Sequence, residues 1–185
     1  MGRLLLSVGV LLVAAGVPSP VATAQPGKEY AVKAAFVFNF MKFVDWPEQA
    51  QAMGGDAFVV GVLSHGLPEE FAAGFRDKEV KGRRIAVQVF QDVRQAQGCH
   101  VVFITADATS QLPAMLRAVS GKPVLTVSEV SNAERADAVI NLVAADTRLG
   151  FQVNLDAADA SGLQISSRLL SLATAVRGGQ QRRTP

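Results

Sequence analysis

From Tyr30 onward the apolar positions recur with two different periods, and the switches between them order the chain. In "YAVKAAFVFNFMKFVDWP" (Tyr30 to Pro47) the spacing is helical. At 100° per residue Val32, Phe36, Phe40, Phe43 and Val44 fall on one face, which predicts a helix that buries this face against a sheet. Phe38 lands nearly opposite Phe36 and close to Asp45, with Met41 beside it. That far side is apolar as well, so Phe38 and Met41 are candidates for contact with a second chain, unless the C-terminal helix packs over them. Trp46 and Pro47 close the helix.

Downstream the period shortens. "FVVGVLS" (Phe58 to Ser64) and "HVVFIT" (His100 to Thr105) are continuous apolar runs of strand length, "RIAVQVF" (Arg84 to Phe90) alternates, and "PVLTV" (Pro123 to Val127) is a further strand. Between them, "LPEEFAAGF" (Leu67 to Phe75), the short "DVRQAQ" and "SQLPAMLRAVSG" (Ser110 to Gly121) have helical character, the last with Ser110 as N-cap and Pro113 in its first turn. Strand and helix alternating predict βαβ units and a mainly parallel sheet. The last third breaks this rhythm. "AVINLVA" (Ala138 to Ala144) and "GFQVNL" (Gly150 to Leu155) flank a polar "ADTR" and predict an antiparallel hairpin. Asn154 then caps a short helix that ends at Gly162, and Ser166 to Val176 predicts a second helix with the stripe Leu169, Leu172 and Val176. The expected architecture is a three-layer α/β domain with a mainly parallel sheet, an antiparallel C-terminal hairpin and helices on both faces.

Composition sets the boundaries of that domain. With 49% hydrophobic and 18% charged residues the chain has material for a packed core. Residues 1–24 read differently: Arg3, the apolar run Leu4 to Val17, and the small residues Ala22 and Ala24 match a cleaved secretory signal, and the run is short for a membrane span. Loss of Arg3 with that leader takes the formal charge from +2 to +1, so no nucleic-acid partner is expected. Residues 25–176 form the expected single domain and 177–185 a frayed tail. The basic stretch Lys78, Lys81, Arg83 and Arg84 is interrupted by Asp77 and Glu79 and reads as a solvated turn. Cys99 is the sole cysteine, so no internal disulfide forms.

Candidate chemistry is sparse. No phosphate-binding glycine loop and no nucleophile elbow occurs, and no cofactor is implied. His65 and His100 are the only histidines. His100 adjoins Cys99 on a strand, where neighbours face opposite ways, so no metal site is expected. The carboxyl ends of the parallel strands carry Ser64, His65, Thr105, Asp107, Ser128 and Glu129. In open α/β sheets ligands bind there, which makes Ser64, His65, Thr105, Asp107 and Ser128 a candidate small-ligand site. His65 held by Asp107 or Glu129 could activate Ser64; equally, such residues serve as turns and N-caps.

The stretch Tyr30 to Pro47, together with "INLVAADTRLGFQVNLDAADASGLQISSRLLSLA" (Ile140 to Ala173), resembles the YfiR family of periplasmic proteins. The resemblance spans nearly the whole chain after the leader. It implies a non-enzymatic periplasmic repressor that binds the periplasmic sensory domain of an inner-membrane diguanylate cyclase, lowers cyclic-di-GMP and so biofilm formation, and is relieved by an outer-membrane lipoprotein. Dimerisation stays open. Asp137 and Ala138 stand where the family often has Gly-Gly, and Gln152 where it is often acidic. Within this frame Phe38, Met41 and Trp46, with Arg148 and Phe151 on the hairpin, are the candidate partner contacts. The alternative is a periplasmic small-ligand-sensing module using the strand-end residues.

Overall fold

In the computed structural model of the protein, residues 26–51, 53, 55–129, 137–145 and 148–179 are described. The expected leader and residues 180–185 lie outside them. In chain order the elements are α1 (Pro26–Phe43), β1 (Val44–Asp45), α2 (Glu48–Gln51), β2 (Ala57–Leu63), α3 (Glu69–Ala73), β3 (Glu79–Val80) and β4 (Arg83–Phe90). There follow β5 (Val101–Ile104), α4 (Leu112–Ala118), β6 (Leu125–Ser128), β7 (Ile140–Ala145), β8 (Arg148–Asn154), α5 (Leu155–Ala160), β9 (Gln164–Ile165), α6 (Ser167–Leu170) and β10 (Ala175–Arg177). Short 3₁₀ segments at Val93–Ala96 and Ala106–Gln111 complete the connections.

The β-branched runs assemble into one curled sheet of eight strands in the order β10-β8-β7-β6-β5-β2-β4-β3. Its ladders are parallel except at the hairpins β7–β8 and β3–β4. Side chains alternate across the sheet and build a core on each face. On one face Val60, Val62, Val101, Phe103, Leu125, Val127 and Phe151 pack under α1, α3 and α6. On the other, Leu63, Val102, Ile104 and Cys99 pack under Leu112 and Met115 of α4. The expected α/β architecture with helices on both faces and a C-terminal antiparallel hairpin is the one observed. Outside the main sheet, β1 pairs with β9, joining the end of α1 to the C-terminal third.

Local capping follows the sequence in the C-terminal third. The Asn154 side chain accepts from Ala157 N at 3.2 Å, and Gly162 takes φ +66° after α5. Two helix readings are corrected. Ser110 lies inside the 3₁₀ turn; α4 begins at Leu112, where Pro113 suits the first turn. The helix expected over Ser166 to Val176 is a single turn, capped by Ser166, after which the chain extends. Thr174 donates both N–H and Oγ1–H to Phe151 O, at 2.8 and 2.9 Å, and Ala175 to Arg177 add a strand to the edge of β8. Arg177, expected to begin the tail, thus ends β10.

Candidate functional site

Helix α1 sets the exposed chemistry, and its orientation differs from the wheel drawn on its phenylalanines. The residues at 1% exposure or less are Ala34, Val37, Phe40, Met41 and Val44, with Lys33 buried beside them. The buried direction is therefore centred on Val37 and Met41. Met41, expected on the outer side, is fully buried and out of a partner's reach. Phe38 is half-buried, with the ammonium groups of Lys78 and Lys42 at 4.7 and 5.7 Å from its ring centroid. Trp46 is 8% exposed and sits edge-on to Phe58. Conversely Val32, expected in the core, is 48% exposed, and Phe36 and Phe43 are half-buried. The sequence signal for the true face was the smaller set Ala34, Val37, Met41 and Val44 at helical spacing; the bulk of four phenylalanines masked it.

This rotation leaves Val32, Phe36 and Phe43 at least partly exposed, beside buried Phe40. Val32, Phe36, Phe40 and Phe43 of α1, Phe151 of β8, and Leu169 and Leu172 around α6 line a groove of about 570 Å3. Its floor is firm: Phe151 meets Phe40 at 5.0 Å and Phe36 at 6.2 Å between ring centroids. Leu172 is 69% exposed at its rim. Lys28, Ala35 and Lys42 are seven residues apart, so they line one side of α1 beside the groove, and exposed Arg168 adjoins Leu169. Phe151 is thus the partner-contact candidate that borders this groove, whereas Arg148 is exposed at the start of β8.

Four of the strand-end candidates do come together, around Asp107. Its Oδ2 accepts from His65 N at 2.7 Å and lies 3.5 Å from His65 Nδ1; its Oδ1 accepts from the Thr105 hydroxyl and lies 3.5 Å from Ser64 Oγ. Partial burial pushes the carboxyl up, but the bonds from Thr105 and His65 outweigh it and hold Asp107 below its ordinary value. Ser64 Oγ also accepts from Gly66 N at 3.1 Å. A nucleophile relay needs the imidazole between hydroxyl and carboxylate; here the carboxylate is in the middle. The set closes a loop. Ser128 is elsewhere, fully buried and donating to Asn141 Oδ1 at 2.8 Å across the β6–β7 ladder.

Between groove and strand ends lies a buried ion pair that sequence reasoning missed. Lys33 Nζ is 3.0 Å from Glu129 Oε1 and 2.5 Å from Glu29 Oε1, and 4.3 Å from the Tyr30 ring centroid. Glu129 Oε2 accepts from Ala106 N at 3.1 Å, and Oε1 faces the Lys33 ammonium. Burial pushes the Glu129 carboxyl up, with Lys33 pulling against it. A lysine on the apolar face of a predicted helix was the available signal. Cys99 and His100 point into opposite faces of the sheet, as alternation requires.

Fold and surface together define a small α/β module with an open apolar groove along α1. The chain belongs to the YfiR/HmsC-like family, whose model matches residues 30–174. The family is periplasmic and regulatory rather than catalytic, and is associated with diguanylate cyclase signalling. Among the described residues no helix is long and apolar enough to cross a membrane. No curated protein matches the chain. Among solved structures it is similar to a conserved domain protein from Vibrio cholerae O1 biovar El Tor, at 12% identity and TM-score 0.53, covering 80% of this chain and 60% of that one. It is also similar to an ABC domain in complex with L-Trp from Streptococcus pneumoniae, at 13% identity and TM-score 0.50, covering 70% of this chain and 58% of that one. At such identities the likeness is one of fold, and the chain spans about three fifths of either structure's length.

Proposed function

We propose that this protein is a non-enzymatic periplasmic repressor that binds the periplasmic sensory domain of an inner-membrane diguanylate cyclase and so lowers cyclic-di-GMP signalling and biofilm formation. The family match over residues 30–174 carries the reading. The leader read at residues 1–24 supports export, and the groove along α1 supplies a docking face, since exposed apolar patches mark interaction sites. Lys28, Lys42 and Arg168 beside it favour a partner segment with an apolar stripe and acidic flanks. A lipoprotein of the outer membrane that competes for this face would relieve repression.

Leu172→Glu puts a charge into the groove at a side chain that is 69% exposed, where folding is affected by less than about 0.5 kcal/mol. Its affinity for the purified sensory domain of the host's cyclase is expected to fall at least ~10-fold, equivalent to about 1.4 kcal/mol, with melting unchanged. Unaltered binding by this variant removes the groove from the interface. Failure of the unsubstituted protein to bind the sensory domain defeats the repressor reading itself.

A further inference from the structure

The basic stretch expected as a turn forms the hairpin β3–β4, and this hairpin covers only the beginning of β4. Glu79 pairs with Arg84 and Val80 with Arg83, and Lys78 O then accepts from Ile85 N at 3.4 Å. Along residues 86–90 no strand lies against the outer edge of β4 among the described residues. The direction of its backbone groups is fixed from both sides. Phe90 O accepts from Ser64 N next to β2, and Ile85 N donates towards β3, so alternation points the N–H and C=O of Val87 and Val89 outward. None of the described residues bonds to them.

Open edges are normally blunted by charges, proline, bulges or a covering element. The stretch "AVQVF" (residues 86–90) has no charge and no proline. Its Val89 is 53% exposed. Val89 shares one side of the sheet with Ile85 and Val87, and these two, with Phe75, belong to the lining of a cleft of about 380 Å3. The outward backbone groups call for an extended strand, and the cleft for an apolar side chain carried on it.

The shape of the open stretch says which strand fits. It is bounded by Lys78 against Ile85 at one end and by the end of β4 at Phe90 at the other, so it is centred on Gln88. A two-fold pair uses the same surface on both copies, and a stretch centred on one residue meets that requirement. In an antiparallel pair about Gln88, Val87 of each copy exchanges backbone hydrogen bonds with Val89 of the other, which sets the exposed Val89 beside Val87 at the border of the cleft. Because β4 ends at Phe90, neither chain runs on into Lys78 of the other.

We propose that the outer edge of β4 is a self-association surface, through which two copies of the chain join their sheets antiparallel along residues 86–90. The strands β7, β6, β5 and β2 stand between β4 and the groove strand β8, so the paired copies keep their grooves open and the inference does not depend on the repressor reading.

Sedimentation equilibrium of the exported protein tests this, from about 1 μM to about 1 mM, the range of weak specific association. A reversible monomer–dimer equilibrium is expected, with slower amide exchange at Val87 and Val89 at the higher concentrations. Val89→Pro removes an outward N–H and leaves the ladder to β2 intact; Val89→Lys places a charge on the edge without touching the backbone. Each is expected to weaken dimerisation at least ~10-fold, and Val89→Lys decides the matter if the proline variant does not fold. Leu172→Glu, in the groove, should dimerise as the parent does. A monomer throughout the range, a dimer unaltered in folded Val89→Lys, or a dimer lost in Leu172→Glu would each overturn the proposal.

Discussion

Replacing Lys33 by methionine is expected to cost about 3–5 kcal/mol of folding stability at pH 7 and lower the melting temperature by roughly 10 °C, because it strands a buried carboxylate. The side chains of Lys33 and Glu129 are 8% and 7% exposed, whereas that of Glu29 is 53% exposed and can turn to solvent when the ammonium is lost. Glu129 is held in place: its Oε2 accepts from Ala106 N and its Oε1 faces Lys33. Its carboxyl is already pushed up by burial, so in Lys33→Met the folded state prefers the protonated form more strongly still. The folded state then binds more protons than the unfolded chain, and the loss should shrink as pH falls towards the ordinary glutamate range. Adding Glu129→Gln should restore most of the stability, since no uncompensated charge remains. Urea unfolding of the single and double variants measures both effects. A Lys33→Met loss below about 1 kcal/mol would mean that the pair is solvated.

The second large effect is acid lability through His100. Burial, reinforced by the Arg83 charge, pulls its pKa down from 6.5 to about 4. The geometry explains this directly, because Nδ1 accepts a backbone N–H and cannot take a proton without breaking that bond. A depressed folded pKa means that the unfolded chain binds the proton first. The contribution is complete above pH 6.5 and is lost as pH falls towards about 4, amounting to about 3 kcal/mol across the window. Glu129 acts with the opposite sign over part of this range and Asp107 with the same sign lower down, so the comparison with His100→Gln isolates the histidine. Stability measured at intervals from pH 7 to pH 4 should fall less steeply in His100→Gln. Parallel curves for the two proteins would show that His100 titrates normally in the fold.

The elements that sequence resolved are those whose information is local. Alternation and apolar runs placed β2, β4, β5 and β6, the polar "ADTR" between two apolar runs marked the β7–β8 hairpin, and Asn154 and Gly162 declared the ends of α5 by their own chemistry. What stayed hidden depended on neighbours distant in sequence. Leu169, Leu172 and Val176 have helical spacing, but the open edge of β8 offers backbone partners, and edge pairing wins over a stripe of which Leu169 alone reaches the core; Leu172 and Val176 stay exposed. The rotation of α1 was missed because side-chain size was allowed to outweigh position. In the packed helix Ala34 and Val37 face the sheet while two of the phenylalanines remain half-buried beside the groove. Asp107 at the centre of its network could not be read from residue types, since a hydroxyl, an imidazole and a carboxylate in loops become chemistry only through their order in space.

The central claim is repression of a diguanylate cyclase, and cellular cyclic-di-GMP tests it most directly. The nucleotide is measured in the host with the gene deleted and then restored, with export of the restored protein confirmed. A rise on deletion that restoration reverses is the predicted result. An unchanged level, with the protein present in the periplasm, would contradict the account.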